Sequence, residues 1–255
     1  VATGYHAVEF LLWGQDLNGT GPGAGNRPWT DYARGARCTN ANCDRRAQYL
    51  TVATQLLVDD LAWMARQWAA DGDARAALMK NPAAGIGAIV TGIGSLSYGE
   101  LAGERMKLGL MLHDPEEEQD CFSDNTHNAH FYDVIGMQAV YLGSYKRVNG
   151  KEVRGPGLSQ LVAASQPALD AEMRQKLVKS IDAVAAMKTR AESVERYDQM
   201  LAEGNAEGNA AIQRAIDALT DQTKTLERIA AALKLDTIRF EGSDSLDDPA
   251  KVKKK

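Results

Sequence analysis

Residues 167–184 read PALDAEMRQKLVKSIDAV, which is the pattern of an amphipathic helix. Pro167 followed by the acidic residues Asp170 and Glu172 is typical of a helix start, where negative charge complements the helix dipole. The apolar residues that follow recur at steps of three and four: Leu169, Met173, Leu177, Ile181 and Val184. This spacing predicts a helix whose apolar side faces a core.

The same periodicity recurs on both sides of this stretch. Downstream, beyond a break at residues 204–209, it is carried by Ile212, Ile216, Leu219, Leu226, Ile229 and Leu233. Upstream, a helix that starts at Asp44 carries an apolar stripe that we expect to face the core: Leu50, Ala53, Leu57, Leu61, Met64 and Trp68. Further helices are predicted over residues 82–112 and 128–142. The chain is therefore predicted to be an all-α helical bundle with antiparallel helices.

One small β-hairpin interrupts this helical pattern. Asn149-Gly150 is a strong signal for a two-residue hairpin turn, and it predicts paired strands within residues 144–154. The glycines within residues 82–112 would weaken an isolated helix. We therefore expect another backbone to approach that helix closely.

Charge and hydropathy exclude two classes of partner. A net charge of -5 and a pI near 5.5 argue against nucleic-acid binding, because no basic surface is available to displace counterions. The basic run at residues 251–255 is expected to be a frayed terminus. No apolar stretch reaches the roughly 18 residues of a membrane-spanning helix.

The three cysteines indicate an oxidising compartment. Cys38 and Cys43 flank a short polar loop that a disulfide could close, which would fix local geometry rather than add much global stability. Such a pairing favours a location outside the cytoplasm. Cys121 remains, either as a buried thiol or as a partner of sequence outside this chain.

A G-x-H-x-x-E motif lies near the start of the chain, at residues 4–9. On a helix, His6 and Glu9 share one face, and an imidazole beside a carboxylate is half of a site for iron, zinc or manganese. The alternative is a buried histidine that is hydrogen-bonded to its helix neighbour. Because two ligands do not complete a metal site, we consider Asp124 and His127 as additional ligands. For His127, a helix cap or a surface position is the alternative.

Two further patterns limit the chemistry. The acidic run at residues 116–120 lacks the alternation and glycine of an EF-hand, so we expect a solvated turn. Ser123 or Asp124 is expected to cap the helix that follows it. The zinc-protease helix motif H-E-x-x-H is absent, and no general base is evident near His6. This argues against a peptidase.

Several blocks in the first 150 residues together resemble the imelysin family. In order, they are GYHAVEFLLWG at 4–14, RPWTDY at 27–32, RRAQYL at 45–50, LSYGELAGERM at 96–106, and CFSDNTH at 121–127 with YLG at 141–143. The helical remainder of the chain is similar to the family only in character.

The resemblance implies a protein of two helical bundles that is periplasmic or anchored to the membrane facing the periplasm. This chain, residues 1–255, would be the C-terminal portion. The N-terminal bundle, through which the protein could be anchored, would be a missing segment and a partner of this chain. By the same resemblance, His6 and Glu9 are the metal pair. The other family-block residues expected at the pocket are Ser123, Asp124, Asn125, His127, Arg105 and Glu104.

The function that these observations favour is a periplasmic iron-uptake accessory protein. It would bind a divalent or ferric metal ion, with iron favoured and zinc possible, or a metal chelate. The first alternative is a zinc-dependent envelope metallopeptidase, which is how the family is classified. The second alternative is a non-catalytic helical interaction protein in which the motif is structural.

Overall fold

The computed structural model describes residues 2–235 and 238–252, and most of these residues are helical. The helices are α1 (Tyr5–Trp13), α2 (Cys43–Gln67), α3 (Asp73–Lys80), α4 (Pro82–Ser95), α5 (Leu108–Leu112), α6 (Thr126–Leu142), α7 (Leu158–Ser165), α8 (Pro167–Ser193), α9 (Tyr197–Leu201), α10 (Ala206–Ala232) and α11 (Asp244–Asp247). A π-helical segment, Leu96–Lys107, joins α4 to α5. Short 3-10 turns lie at Trp29–Tyr32, Gly35–Arg37, Pro115–Glu117 and Pro249–Lys251. The all-α prediction is confirmed.

The core lies where α8 and α10 pack against each other, with α6 on α8 and the π-helical segment on α10. The stripe predicted for α8 is buried at four positions and partly buried at the fifth, Ile181. On α10, Leu233 is partly buried and the other stripe residues are fully buried. Both predicted apolar faces are therefore confirmed. Both faces belong to the hydrophobic core of the bundle, and their burial stabilises it.

The predicted hairpin is present as two short antiparallel strands. β1 (Ser144–Lys146) pairs with β2 (Glu152–Arg154), with Tyr145 opposite Val153. Gly150 has a φ of 81° at the turn, a conformation that glycine adopts without strain. The hairpin is largely exposed and projects from the end of α6.

The helix predicted over residues 82–112 is present, but its middle third has π-helical hydrogen bonding. Two of its glycines lie against the segment before α11. A Cβ at Gly99 would clash with the backbone of Glu241, and one at Gly103 would clash with the side chain of Ser243. The expected close backbone approach is confirmed.

The prediction of a core-facing stripe along all of α2 is wrong for its second half. Ala53 is buried, but Leu61, Met64 and Trp68 are 41%, 54% and 55% exposed. The first half of α2 packs against α1 and the Trp29–Tyr32 turn. Apolar periodicity shows which side of a helix is apolar, whereas burial also requires an element that packs on that side.

Asp31 fixes the loop between α1 and α2. Its buried carboxylate accepts hydrogen bonds from Thr39 at 2.8 Å, Asn40 at 2.7 Å and Arg27 at 3.1 Å. Burial alone would raise the pKa of Asp31, but these donors and the charge of Arg46 together hold it below its usual value. Arg27 also donates to the carbonyl of Phe10, which ties the loop to α1.

Cys38 and Cys43 form a disulfide in this region, with Cα atoms 5.9 Å apart. The bond closes the loop that precedes α2. Cys121 is a free, partly buried thiol, and burial raises its pKa to about 12. Within the described ranges, no helix combines the length and apolarity that a membrane span requires. Residues 253–255 of the basic tail lie outside the described residues.

Candidate metal centre

Helix α1 places His6 and Glu9 on one face, one turn apart. His6 Nδ1 lies 3.0 Å from Glu9 Oε2. The Glu9 side chain is almost completely buried, whereas 43% of the His6 side chain is exposed. The imidazole is therefore open to solvent, and the carboxylate beside it is shielded.

Ser123 holds the second oxygen of Glu9. The Ser123 backbone N–H and hydroxyl donate to Glu9 Oε1 at 2.9 and 2.6 Å. This contact joins α1 to a loop more than a hundred residues later in the chain. The same loop is also joined to the connector after α1, because the Gly25 N–H donates to the Phe122 carbonyl at 2.9 Å. Glu9 Oε2 is thus left to face His6 in a fixed orientation.

Asp120 brings a third ligand atom to this pair. Its Oδ1 lies 3.7 Å from His6 Nδ1, and one ligand atom from each of His6, Glu9 and Asp120 lies within 4.8 Å of the other two. Asp120 Oδ2 is buried and has no hydrogen-bond partner in the part of the chain that the structure describes. Burial, and then the Glu9 carboxylate, raise the pKa of Asp120. A cation at this position would offset both the burial of the Asp120 carboxylate and its repulsion by Glu9.

A groove of about 810 Å³ opens beside His6. Its apolar wall includes Phe10 and Phe122, whose rings meet edge to face with centroids 5.1 Å apart. Arg45 and Arg46, from the first turns of α2, also line the groove. The groove is of the size that binds small molecules in other proteins.

Asp124 and His127 lie outside this group of three ligand atoms, so Asp120 replaces them in the ligand set expected from the sequence. The reason lies in the turn before α6. The backbone of Asp124 is left-handed, with a φ of 53°. Its carboxylate lies near those of Glu118 and Asp198, whereas the adjacent Ser123 hydrogen-bonds to Glu9. His127 is only 3% exposed, and its Nε2 is 3.1 Å from Asn128 Nδ2. His127 is therefore neither a surface residue nor a helix cap.

The predicted helix cap at Ser123 or Asp124 is also wrong. The residue that precedes α6 is Asn125, whose side chain accepts from Asn128 at 2.8 Å and does not cap the backbone. Ser123 lies two residues before Asn125, outside the cap position, and its hydroxyl donates to Glu9. Of the expected pocket residues, Ser123 alone contacts the His6–Glu9 pair directly.

Arg105 and Glu104 lie on the π-helical segment, and they face different surroundings. Arg105 pairs with Glu100 at 3.7 Å, and its charge is close enough to lower the pKa of Asp120. Glu104 accepts from the Ser243 hydroxyl at 2.5 Å, so it anchors the segment before α11. Arg105 therefore influences the site electrostatically, whereas Glu104 belongs to a separate contact.

The expectation of a solvated acidic turn at residues 116–120 is wrong at two positions. Glu118 is 5% exposed, and the Asp120 side chain is 18% exposed. The sequence held one signal, because this acidic run directly precedes the family block at 121–127. The burial itself depends on α1 and α9 packing over this loop, which local sequence does not specify.

The three residues fit a metal ion. One imidazole nitrogen and two carboxylate oxygens form a mixed donor set that suits iron, manganese or zinc. The partly exposed imidazole and the adjoining groove leave room for further ligands from water or from a bound molecule.

The family model named for peptidase family M75 and described as imelysin matches residues 1–226 of this chain. The match extends well beyond the blocks in the first 150 residues and includes α8 and most of α10. No curated protein matches the chain.

Proposed function

This chain belongs to the imelysin family, and we propose that it is an envelope-associated protein of iron uptake that binds a metal at His6, Glu9 and Asp120. Family membership supports an envelope protein related either to iron uptake or to peptidases. The convergence of three ligand atoms from α1 and the distant 118–123 loop carries the proposal.

The donor chemistry favours iron, with zinc as the second choice. Imidazole suits iron and zinc, whereas carboxylates favour harder cations, so a site with both kinds of ligand matches a borderline or hard transition metal. Asp120 Oδ2, which is buried and has no hydrogen-bond partner among the described residues, adds negative charge that a more highly charged ion would neutralise better. A ferric ion satisfies both requirements, whereas ferrous iron and zinc share the same charge and satisfy only the first.

The groove beside His6 supports a chelated metal as the natural ligand. Arg45 and Arg46 place positive charge on the lining of this groove, which His6 also lines. A bare cation gains nothing from these arginines, but an anionic chelate would pair with them while its metal faces His6. We therefore propose that the ligand is a metal ion that carries small carboxylate-bearing molecules.

The decisive experiment compares Glu9→Gln with Glu104→Gln. Both glutamates accept a hydrogen bond from a serine hydroxyl, but only Glu9 belongs to the group of three. We expect the affinity for Fe²⁺ and Zn²⁺, measured by calorimetry on chelator-treated protein, to fall about tenfold or more in Glu9→Gln and to stay unchanged in Glu104→Gln. Equal affinities in the two variants would contradict the proposal.

The alternatives lead to different results in the same preparation. A zinc peptidase would cleave an unfolded polypeptide, and both chelator and Glu9→Gln would abolish cleavage. A purely structural motif would give metal-free protein whose stability falls in Glu9→Gln without any change in metal affinity. Metal binding without cleavage is the outcome that we expect.

A further inference from the structure

A second group of acids lies on the other side of the same loop. Glu118 follows the Pro115–Glu117 turn, Asp124 precedes α6, and Asp198 lies in α9. Their residues are 5%, 4% and 0% exposed, and one carboxylate oxygen from each lies within 4.8 Å of the other two. One loop and the distant helix α9 thus bring three acids together in the interior.

Four of the six carboxylate oxygens in this group have no hydrogen-bond partner in the described part of the chain. Asp198 has neither of its oxygens in a hydrogen bond, and Glu118 Oε2 and Asp124 Oδ1 are likewise unpartnered among the described residues. Arg196 is the nearby positive charge that lowers the pKa of Asp124, but its guanidinium donates to the Ala191 carbonyl. A buried and unpartnered polar side chain calls for an explanation, because each such group costs free energy.

The electrostatics of the group agree with this geometry. Burial raises the pKa of Asp124 to about 6, of Asp198 to about 7 and of Glu118 to about 9. Repulsion within the group adds to the shifts at Asp198 and Glu118, whereas at Asp124 the added repulsion comes from Asp16 and Glu9. A hydrogen bond from Thr126 partly opposes the shift at Glu118 and fixes that side chain. A bound cation would therefore stabilise the charged forms of these three carboxylates.

We propose that Glu118, Asp124 and Asp198 bind an oxygen-preferring divalent cation, for which Ca²⁺ is the best match. The ligands are all carboxylate oxygens, the type that Ca²⁺, Mg²⁺ and Mn²⁺ prefer over transition metals that need nitrogen or sulfur. Oxygens on one Ca²⁺ at roughly 2.4 Å are at most about 4.8 Å apart, which is the limit that these oxygens already meet. Mg²⁺ demands near-ideal octahedral geometry and usually keeps several waters, whereas Ca²⁺ accepts flexible arrangements of carboxylate oxygens.

This cation has a structural role. Glu118 and Asp124 bracket Asp120 and Ser123, the two loop residues that meet the His6–Glu9 pair. A cation that joins both of them to Asp198 would tie this loop to α9. It would thereby hold Asp120 and Ser123 in position without belonging to the first site, and the inference does not depend on the function proposed above.

The test is Ca²⁺ titration of the full chain after chelator treatment, followed by calorimetry and by thermal unfolding. We expect one Ca²⁺ to bind and to raise Tm by several degrees, and we expect Asp198→Asn to weaken binding by roughly tenfold or more. The matched control is Asp170→Asn, another buried aspartate, which accepts from the Tyr141 hydroxyl and lies outside the group. Glu9→Gln should also keep the response to Ca²⁺.

Asparagine is close in shape to aspartate and removes one uncompensated charge, so Asp198→Asn should fold without the cation. Glu118→Gln provides a second variant with the same expectation. Absence of a Ca²⁺ response in the unmodified protein would overturn the inference, and so would an unchanged response in Asp198→Asn. Loss of Ca²⁺ binding in Glu9→Gln would assign the ion to the first site and would equally overturn it.

Discussion

Two groups of candidate metal ligands each include acids from the loop at residues 118–124, and the two groups differ in their exposure to solvent. The first, His6 with Glu9 and Asp120, includes a nitrogen donor that is 43% exposed and borders a groove. The second, Glu118 with Asp124 and Asp198, has only oxygen donors, and every member is buried. Residues 118–124 therefore face two chemically distinct environments.

This difference in exposure predicts that the first group exchanges its metal ion and that the second group retains its cation. A site with an exposed imidazole and room for outside ligands can take up and release its metal, as an uptake protein must. A closed group of carboxylates holds a hard cation away from solvent and suits a structural role. The loop would then use a retained ion to orient the ligands of an exchangeable one.

The largest effect is expected when two ligands are removed from the open site, which consists of His6, Glu9 and Asp120. The double substitution Glu9→Gln with Asp120→Asn should lower Fe²⁺ affinity by at least about 100-fold, because both carboxylate donors lose their charge. The Ca²⁺ response assigned to the closed group should persist, and calorimetry with each metal measures both effects. If both responses fell together, the two groups would not be independent sites.

A second prediction concerns the buried histidine His130. Burial lowers the pKa of His130 to about 3, and neither ring nitrogen makes a hydrogen bond within the described ranges. Because the folded-state pKa lies below the ordinary value of 6.5, His130 contributes stability that is complete above about pH 6.5 and is lost as the pH falls towards 3. At pH 4.5 the loss should be about 3 kcal/mol.

His130→Phe should remove this loss, since a phenyl ring cannot be protonated and can keep the edge-to-face contact with Tyr197. The measurement is urea unfolding at pH 7 and pH 4.5 in the presence of chelator. His113→Asn is the control, because asparagine tolerates the left-handed backbone at position 113. An identical pH dependence in His130→Phe and the unmodified protein would refute the prediction.

The sequence predicted the regular parts of the fold because their determinants repeat. Five or six apolar residues at helical spacing specify the buried faces of α8 and α10, so one exception changes little. The outer half of α2 shows the limit of this reasoning. Leu61 and Trp68 follow the same periodicity but remain exposed, because a pattern within one helix does not specify its neighbours.

The sequence predicted only the part of the candidate site that is formed by residues close together in the chain. His6 and Glu9 meet because helix geometry brings positions three apart together. Asp120 joins them through packing between segments that are more than a hundred residues apart, and in the sequence it belongs to an acidic run of the kind that is normally solvated. Asp198 has no motif around it at all, so its burial beside Glu118 and Asp124 could come only from the structure.

A smaller effect is expected from Ser123→Ala, which leaves all three ligands of the open site in place. The variant loses the hydroxyl that holds Glu9 Oε1 at 2.6 Å, so Glu9 becomes less well oriented. Metal affinity should fall about tenfold, in the range typical of residues that orient a metal ligand. Ser243→Ala removes the equivalent hydrogen bond to Glu104 and should leave affinity unchanged. Equal effects of the two substitutions would show that Ser123 does not orient Glu9.

The smallest effect on metal binding is expected from Cys38→Ser. The disulfide closes a short loop, so its loss should cost at most about 2 kcal/mol of global stability and should expose residues 33–42 to limited proteolysis. None of the three ligands lies in this loop, so the affinity for free Fe²⁺ should change by less than about threefold. Affinity for an anionic chelate should fall further, because the loop leads directly into the turn of α2 that carries Arg45 and Arg46. Equal changes for the free ion and the chelate would exclude a role for this wall of the groove in binding.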